Sequence, residues 1–460
     1  MSEFVSKNLA INEKGHLTIA GLDTVDLAKE YGTPLYVMDE DLIREHCRSF
    51  RQSMEQYYDG AGLVCYASKA FSCKAIYRIA KEEGIGIDVV SAGELYTAAC
   101  VDFPMDKVCY HGNNKTEFEL RMAIEHKVGR IIVDNIYELE LLNKLAAEVG
   151  VKARIMYRIK PGVDAHTHDF VKTGQIDSKF GFALETGEAF EAIKTALSLE
   201  NIEFVGVHCH IGSQIFDIAP FVEAANVMMG LIEQVKVELG HEITELNLGG
   251  GFGIKYTESD TPVPYADYMD KVSETVKALC KERGLKLPFI LIEPGRSIVA
   301  PAGITLYTVG GIKEIPNIRT YVSVDGGLGD NPRYALYKSE YDFVVANKAD
   351  QAKDSVVTVA GRCCESGDLL GEGVKLQTTE VGDTLAVLAT GAYNYSMSSN
   401  YNRVPKPPVL MIRNGEVKIA VKRETLEDIV RNDIKESGKA QMGIFYKIKN
   451  RACFRMRIAL

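Results

Sequence analysis

Eight short apolar runs in the first two-thirds of the chain, separated by helical patterns, constrain its fold more than any other feature. The runs are Leu63–Tyr66, Gly86–Val90, Lys107–Tyr110, Arg130–Val133, Ala153–Tyr157, Phe204–Val207, Glu245–Leu248 and Phe289–Ile292. At their last positions or just beyond stand Lys69, Asp88, His111, Asp134, Arg158, His210, the Gly249-Gly250-Gly251 triplet and Glu293. Helical patterns cover Glu40–Tyr58, Cys73–Glu83, Ala92–Cys100, Lys115–Glu125, Tyr137–Glu148, Thr186–Leu197, Ala219–Leu239 and Tyr265–Arg283. Alternation of this kind predicts a (β/α)8 barrel, and parallel strands bring all those side chains to one mouth. An open dinucleotide-binding sheet would need GxGxxG directly after its first strand, where Tyr66-Ala67-Ser68-Lys69 stands instead.

The chain has 460 residues, too many for one ordinary core, and beyond Pro301 its pattern changes. Tyr307–Val309, Thr320–Val324, Phe343–Val345, Ser355–Val359, Thr384–Leu388 and Val409–Ile412 are short runs broken by Gly, Asp and Pro. They predict an antiparallel β-domain, a barrel or sandwich. The N-terminal segment, with Leu17–Ile19, is expected to add a strand to it. The resulting division is α/β plus all-β: residues 36–300 form the barrel, 1–35 and 301–433 the β-domain, and 434–460 a basic extension. Lys160 to Phe182, with His166-Thr167-His168, is long and polar for a barrel connection, as in loops that close over substrate or simply as a disordered insertion.

Charge and cysteine usage exclude several function classes. A net charge of −10 opposes non-specific nucleic-acid binding, which needs a positive field against phosphates. No stretch approaches the ~18 apolar residues of a membrane span. Ten cysteines without CxxC spacing indicate a reducing compartment, and the N-terminus shows no apolar leader, so a cytoplasmic location is expected. The segment Ile434–Leu460 holds seven Lys or Arg and one acid; it suits an acidic partner, membrane lipid or simply solvent, and no function is assigned to it.

Three strand-end groups specify a chemistry together. A lysine such as Lys69, at the end of a buried strand, is desolvated into a reactive amine or held in a structural salt bridge. The Gly249–Gly251 turn, with Gly253 beyond it, offers backbone amides to an anion. Glu293-Pro294-Gly295-Arg296 follows the eighth run, and strands seven and eight are where barrels most often hold phosphate. Glu293 suits a protonated ring nitrogen, the alternative being an ion pair with a mouth arginine. His208 and His210 share one face of a strand while Cys209 points away, and no further Cys or His lies nearby at ligand spacing, which disfavours zinc. His210 then packs on a flat cofactor or rests as a core histidine. A Schiff-base lysine, a phosphate cradle and an acid for a ring nitrogen are the requirements of pyridoxal 5′-phosphate.

Longer motifs carry a resemblance. They are Tyr66-Ala67-Ser68-Lys69-Ala70, Asp88-Val89-Val90-Ser91-Ala92-Gly93-Glu94-Leu95, the stretch from Gly206 through His210 and Ser213 to Gln214, and Glu293–Arg296. In the second region they are Asp330-Asn331-Pro332-Arg333, Cys364-Glu365-Ser366-Gly367-Asp368 and Gly391-Ala392-Tyr393. Over roughly residues 15–433 the chain resembles the fold-type III pyridoxal-phosphate decarboxylases, and among them the diaminopimelate decarboxylase family.

The resemblance implies a role for each matching residue. Lys69 forms the Schiff base, Asp88 supports it, His210 stacks on the ring and Glu293 holds the ring nitrogen. Ser213, Gly250, Gly295 and Tyr393 lie at the phosphate, with Gly249, Gly251 and Arg296 completing the cofactor site. Arg296, Arg333, Tyr337 and Tyr393 meet the substrate, Glu365 reads its far ammonium group, and Cys364 donates the final proton. The implied reaction is decarboxylation of meso-diaminopimelate to L-lysine and carbon dioxide, with no metal. The Cys-Glu segment enters a neighbouring subunit's site in this family, which implies a homodimer with shared sites.

Two departures stand out: Cys363 doubles the usual single cysteine, and the basic tail exceeds the family's usual end. Ornithine and arginine decarboxylases of the same fold are the alternative. They need no arginine pair for a distal carboxylate, so Arg333 with Tyr337, and Glu365 after Cys364, favour diaminopimelate. An alanine racemase has no use for the Cys-Glu-Ser-Gly-Asp block. A non-catalytic regulatory relative should have lost Lys69 or Cys364, and both are present.

Overall fold

The structure is a computed structural model that describes residues 4–163 and 178–434. Eight parallel strands, Gly62–Ala67, Gly86–Val89, Val108–Tyr110, Arg130–Val133, Ala153–Lys160, Ile202–His208, Glu245–Asn247 and Phe289–Ile292, pair in chain order. The last pairs back onto the first, Ile290 opposite Gly62 and Leu291 opposite Leu63, which closes the barrel. Inside lies a compact cluster of Cys65, Cys109, Ile132, Met156, Val205 and Leu291. Below it, Glu245 accepts from Arg130 at 2.7 and 2.9 Å and from Arg154 at 2.6 Å. That pairing explains charged residues at strand positions otherwise apolar.

The helices start where local chemistry dictates. Ser91, Thr116 and Asn135 accept from backbone amides in the first turns of Ala92–Ala99, Glu117–Glu125 and Ile136–Val149. Gly150, Gly240 and Gly284 end three helices at positive φ. The helix Glu40–Tyr58 precedes the first strand yet fills the eighth helical position. It packs on the closing seam, where Phe50 meets Tyr265 at 4.0 Å and the Tyr58 hydroxyl donates to Pro288. Only the four-residue helix Arg296–Val299 follows the last strand.

The second domain is a mixed sheet, not a wholly antiparallel one. Arg319–Val324 runs parallel to Ser355–Ala360, and Leu35–Asp39 parallel to Val409–Arg413; the other pairings are antiparallel. The long strand Gly303–Ile315 joins its parts, bending at a bulge between Val309 and Gly311. Two strands here, Leu369–Leu376 and Glu416–Val421, had no clear apolar run in the sequence, because their side chains are largely exposed or half-buried.

The N-terminal segment does supply a strand, but it is Leu35–Asp39, so residues 36–39 pair in this sheet and not in the barrel. Its two faces serve two cores: Leu35 and Val37 pack with Leu17, Ile19, Ile304 and Leu410, whereas Tyr36 and Met38 face the barrel side. Asp39 then caps the helix Glu40–Tyr58, accepting from Leu42 at 3.0 Å. Leu9–Ile11, Leu17–Ile19 and Leu22–Asp23 form a small sheet of their own. Among the described residues no helix is long and apolar enough to cross a membrane. His166-Thr167-His168 and all of the basic tail beyond Ile434 lie outside the described residues.

Candidate active site

The C-terminal strand ends converge as the parallel order requires. Lys69 lies in the single turn Ser68–Ala70 after the first strand. Asp88, buried at the end of the second strand, holds that turn: its carboxylate accepts from Ser68 N at 3.1 Å and its carbonyl from Ser68 Oγ at 2.6 Å. Burial, and then the Glu293 charge, push the Asp88 carboxyl well above its usual range, with Lys69 opposing. The Lys69 side chain itself is exposed in the mouth.

Glu293 is the best-supported group in the mouth. Its Oε1 accepts from His111 Nε2 at 2.7 Å and from Asn247 Nδ2 at 2.7 Å, and its Oε2 from His208 Nε2 at 3.1 Å. All four residues are buried. The expected alternative, an arginine partner, is replaced by two imidazoles and an amide. Burial pushes His208 down to about 4 and lowers His111, so both are neutral N–H donors near pH 7. Burial also works against the Glu293 anion, but the two histidines outweigh it and hold the carboxyl well below its usual range.

The glycine turn follows directly. Gly249 and Gly251 have φ of 67° and 114°, and a Cβ on Gly249 would lie 2.6 Å from the Cys209 carbonyl oxygen. Gly249 N–H donates to Asn247 Oδ1 at 2.9 Å, and Gly250 N–H to His210 Nδ1 at 3.3 Å. Two of the three amides thus orient neighbouring side chains. His210, half-buried at the mouth, is held by Gly250, and burial followed by Lys69 and Arg158 keeps it well below the usual imidazole range. Gly295 packs against the lysine turn, since a Cβ there would come within 2.8 Å of Ala67 Cβ.

A second group of residues forms the seam with the β-domain. Arg296 donates to Ser213 Oγ at 2.9 Å and to the Tyr256 hydroxyl at 2.7 Å. Two guanidinium groups approach the Tyr393 ring, Arg296 at 4.8 Å and Arg333 at 5.1 Å, and Arg333 also lies 5.0 Å from the Tyr337 ring. Tyr393 has φ of 64°, and its N–H donates to Ala70 O at 2.7 Å, tying this corner to the lysine turn. Both arginines are buried, and among the described residues neither pairs with a carboxylate. They border a cavity of about 290 Å³ with Gln214, Tyr256 and Tyr337. A buried pair of unpaired guanidiniums in a cavity suits a carboxylate ligand.

Cys364 and Glu365 are not brought to this mouth by the chain's own fold. They are exposed in the turn between Ala360 and Leu369, where Cys364 N–H donates to Asn402 at 2.7 Å. Cys363 is half-buried, and burial with Asp368 pushes its thiol up to about 11. Asp134 caps the return of the long connection, accepting from Gly181 N–H at 2.9 Å, and Arg158 stacks on Phe180 at 4.1 Å. Sequence reasoning missed Asn247 and Tyr256. Asn247 carried a signal, being a polar strand end directly before the glycine triplet, but Tyr256 carried none.

These groups fit pyridoxal phosphate: a lysine amine at the mouth, an anionic acid with acceptor capacity for a ring nitrogen, and a turn where only glycine fits. The barrel and site together define a pyridoxal-binding decarboxylase. A family model described as pyridoxal-dependent decarboxylase, pyridoxal binding domain, matches residues 40–300. The chain is 52% identical over 426 residues to the diaminopimelate decarboxylase of Bacillus subtilis (strain 168), covering 92% of this chain and 96% of the relative. The corresponding enzyme of Staphylococcus aureus (strain COL) is 43% identical, covering 92% of this chain and 99% of that one. The chain belongs to the diaminopimelate decarboxylase family. The diaminopimelate decarboxylase of m. jannaschii, solved with L-lysine, superposes with a TM-score of 0.88 at 38% identity, over 94% of this chain and 99% of that one. A lysine/ornithine decarboxylase from Vibrio vulnificus matches at 23% identity with a TM-score of 0.72, over 85% of this chain and 98% of that one, which is a likeness of fold alone.

Proposed function

We propose that the chain decarboxylates meso-diaminopimelate to L-lysine and carbon dioxide, the last step of lysine formation. The identity of 52% across nearly the whole Bacillus subtilis enzyme carries this reading. The buried Arg296–Tyr393–Arg333 stack supports it, because a distal carboxylate needs such a grip and ornithine has none. Pyridoxal phosphate, when bound, supplies an electron sink for the pair left by the departing carboxylate.

The chain's residues do the rest. Lys69 would anchor the cofactor, Asp88 holds the lysine turn, and His210 would pack on the ring face. Glu293 would hold the ring nitrogen in its protonated form. Ser213, Gly249, Gly250, Gly251, Gly295 and Tyr393 would enclose the phosphate. Arg296, Arg333 and Tyr337 would grip the distal carboxylate and Glu365 the distal ammonium, which orients the substrate so that one carboxylate is lost. Cys364 delivers a proton to Cα.

We propose further that two chains form a homodimer in the cytoplasm, each lending its Cys364–Glu365 turn to the other's mouth. The exposure of that turn supports this, as do the nine free cysteines among the described residues. The chain divides functionally into the barrel, residues 36–300, and a β-domain from 1–35 and 301–433, with the exchange of residues 36–39 noted above.

Carbon dioxide release from meso-diaminopimelate, ornithine, arginine and lysine, measured side by side, tests the substrate. Preference for ornithine would overturn it. Mixing Lys69→Ala chains with Cys364→Ala chains tests the shared site; mixed dimers that recover no activity would refute it.

A further inference from the structure

Glu293 does not stand alone in the mouth, and its three partners come from three other strand ends: His111 follows the third strand, His208 ends the sixth and Asn247 ends the seventh. A carboxylate offers about four lone-pair positions. His111 and Asn247 occupy both on Oε1, and His208 occupies one on Oε2. One position on Oε2 is left. We propose that His111, His208 and Asn247 form a donor clamp that fixes Glu293 as a carboxylate with a single open acceptor, acting as positioning residues for the group that holds the cofactor's ring nitrogen. This rests on the pyridoxal reading above.

The tautomers follow from the geometry. Each imidazole donates Nε2–H to Glu293, which in a neutral ring leaves Nδ1 unprotonated, and His208 Nδ1 is buried with no hydrogen-bond partner. A protonated His208 would place a buried N–H where it has no acceptor, at a desolvation cost, so the neutral form is favoured. The two rings pack edge to face at 4.8 Å, which fixes their planes.

His111, His208 and Glu293 together have the composition of a metal centre, and their ligand atoms lie within 4.8 Å of one another. The distances favour hydrogen bonds. Two ligands of one tetrahedral zinc, each at about 2.0–2.1 Å, lie about 3.3 Å apart, whereas His111 Nε2 and Glu293 Oε1 are at 2.7 Å. The other titratable groups around the Glu293 site are Asp88, Lys69, Arg158 and His210, with the thiols of Cys109 and Cys209.

The test uses the cofactor-loaded holoenzyme. In His111→Leu and His208→Leu the clamp loses a donor, burial of Glu293 is less opposed, and its proton affinity rises. The absorbance of bound cofactor, titrated from about pH 5 to 9, should then shift by about one pH unit or more. kcat should fall on the order of 10- to 100-fold, as for other supporting hydrogen bonds to a site ligand, with KM changing less. His111→Gln and His208→Gln, which keep an N–H donor, should restore both. Borohydride should still fix the cofactor to Lys69 in every variant.

Wild-type titration in both Leu variants with cofactor fixed would overturn the clamp. So would activity that a chelator removes and zinc restores. Failure of borohydride to fix cofactor in the wild-type protein would instead overturn the pyridoxal reading. Nitrogen NMR of histidine-labelled native protein is an independent check that needs no variant. Two neutral, Nε2-protonated rings support the proposal, and an imidazolium at either position near pH 7 refutes it.

Discussion

Replacing Gly250 by alanine should damage the site through one defined contact. The new Cβ would lie 2.1 Å from the carbonyl oxygen of Glu293 and 2.8 Å from its carbonyl carbon, where real Cβ atoms do not approach below 3.0 Å. Relief therefore takes a displacement of 3.0 − 2.1, or 0.9 Å. Both contacting atoms are backbone, so no flexible side chain can absorb it. Either the glycine turn retreats, disturbing the bonds from Gly249 to Asn247 and from Gly250 to His210, or Glu293 moves relative to Lys69, which another strand holds. Overpacking of this kind costs about 1–3 kcal/mol of stability. A misplacement near 1 Å in a reacting constellation costs on the order of 100-fold in rate.

Three measurements follow on Gly250→Ala: thermal unfolding, the fraction of chains that borohydride labels with cofactor, and steady-state carbon dioxide release. Tm should fall by several degrees and kcat by about two orders of magnitude. Gly310→Ala is the control, since the nearest atom to its new Cβ is Ser323 O at 4.0 Å. Wild-type rate and Tm in Gly250→Ala would refute the steric reasoning.

Glu245→Ala should leave the buried Arg130 charge uncompensated at the barrel base and cost about 3–5 kcal/mol, read as a lowered Tm, while the folded fraction keeps its activity. Asp330, wholly buried beneath Tyr36 and Tyr307, has its carboxyl pushed up to about 7 by burial, against hydrogen bonds from Tyr307 and Gly327. The folded state then binds a proton more tightly than the unfolded chain between about pH 4 and 7, so this group's contribution to stability falls as pH rises through that window. Asp330→Asn should flatten that fall in unfolding curves; a slope unchanged from wild type would count against it. Cys363→Ser should retain activity and Cys364→Ser should lose most of it, as carbon dioxide assays will read, because the Cys363 backbone is fixed by Asp368 at 2.7 Å and its thiol is pushed up to about 11.

The barrel was legible because each of its strands is buried on both faces and reads as a continuous apolar run, with capping residues marking the helices between. Arg130–Val133 and Phe289–Ile292 were located to the residue on that signal. The β-domain was less so. Leu369–Leu376 and Glu416–Val421 show mostly open faces, so neither run nor alternation announces them. Parallel pairing of Arg319–Val324 with Ser355–Ala360 is a choice of partner, and partners far apart in the chain leave no local trace.

The site divides along the same line. Lys69, the glycine triplet and Glu293 could be read from sequence because each sits at a strand end, where chain direction alone decides the side of the barrel it reaches. Their joint chemistry, and the family motifs around them, pointed to pyridoxal phosphate before any coordinate. Tertiary structure alone decided that Glu293 pairs with His111, His208 and Asn247 and, among the described residues, with no arginine, and that Arg296 and Arg333 both approach the Tyr393 ring. The physical reason is closure: a barrel makes neighbours of strand ends far apart in the chain, 182 residues in the pair of His111 and Glu293, and side-chain contacts of that range depend on angles that no local pattern encodes.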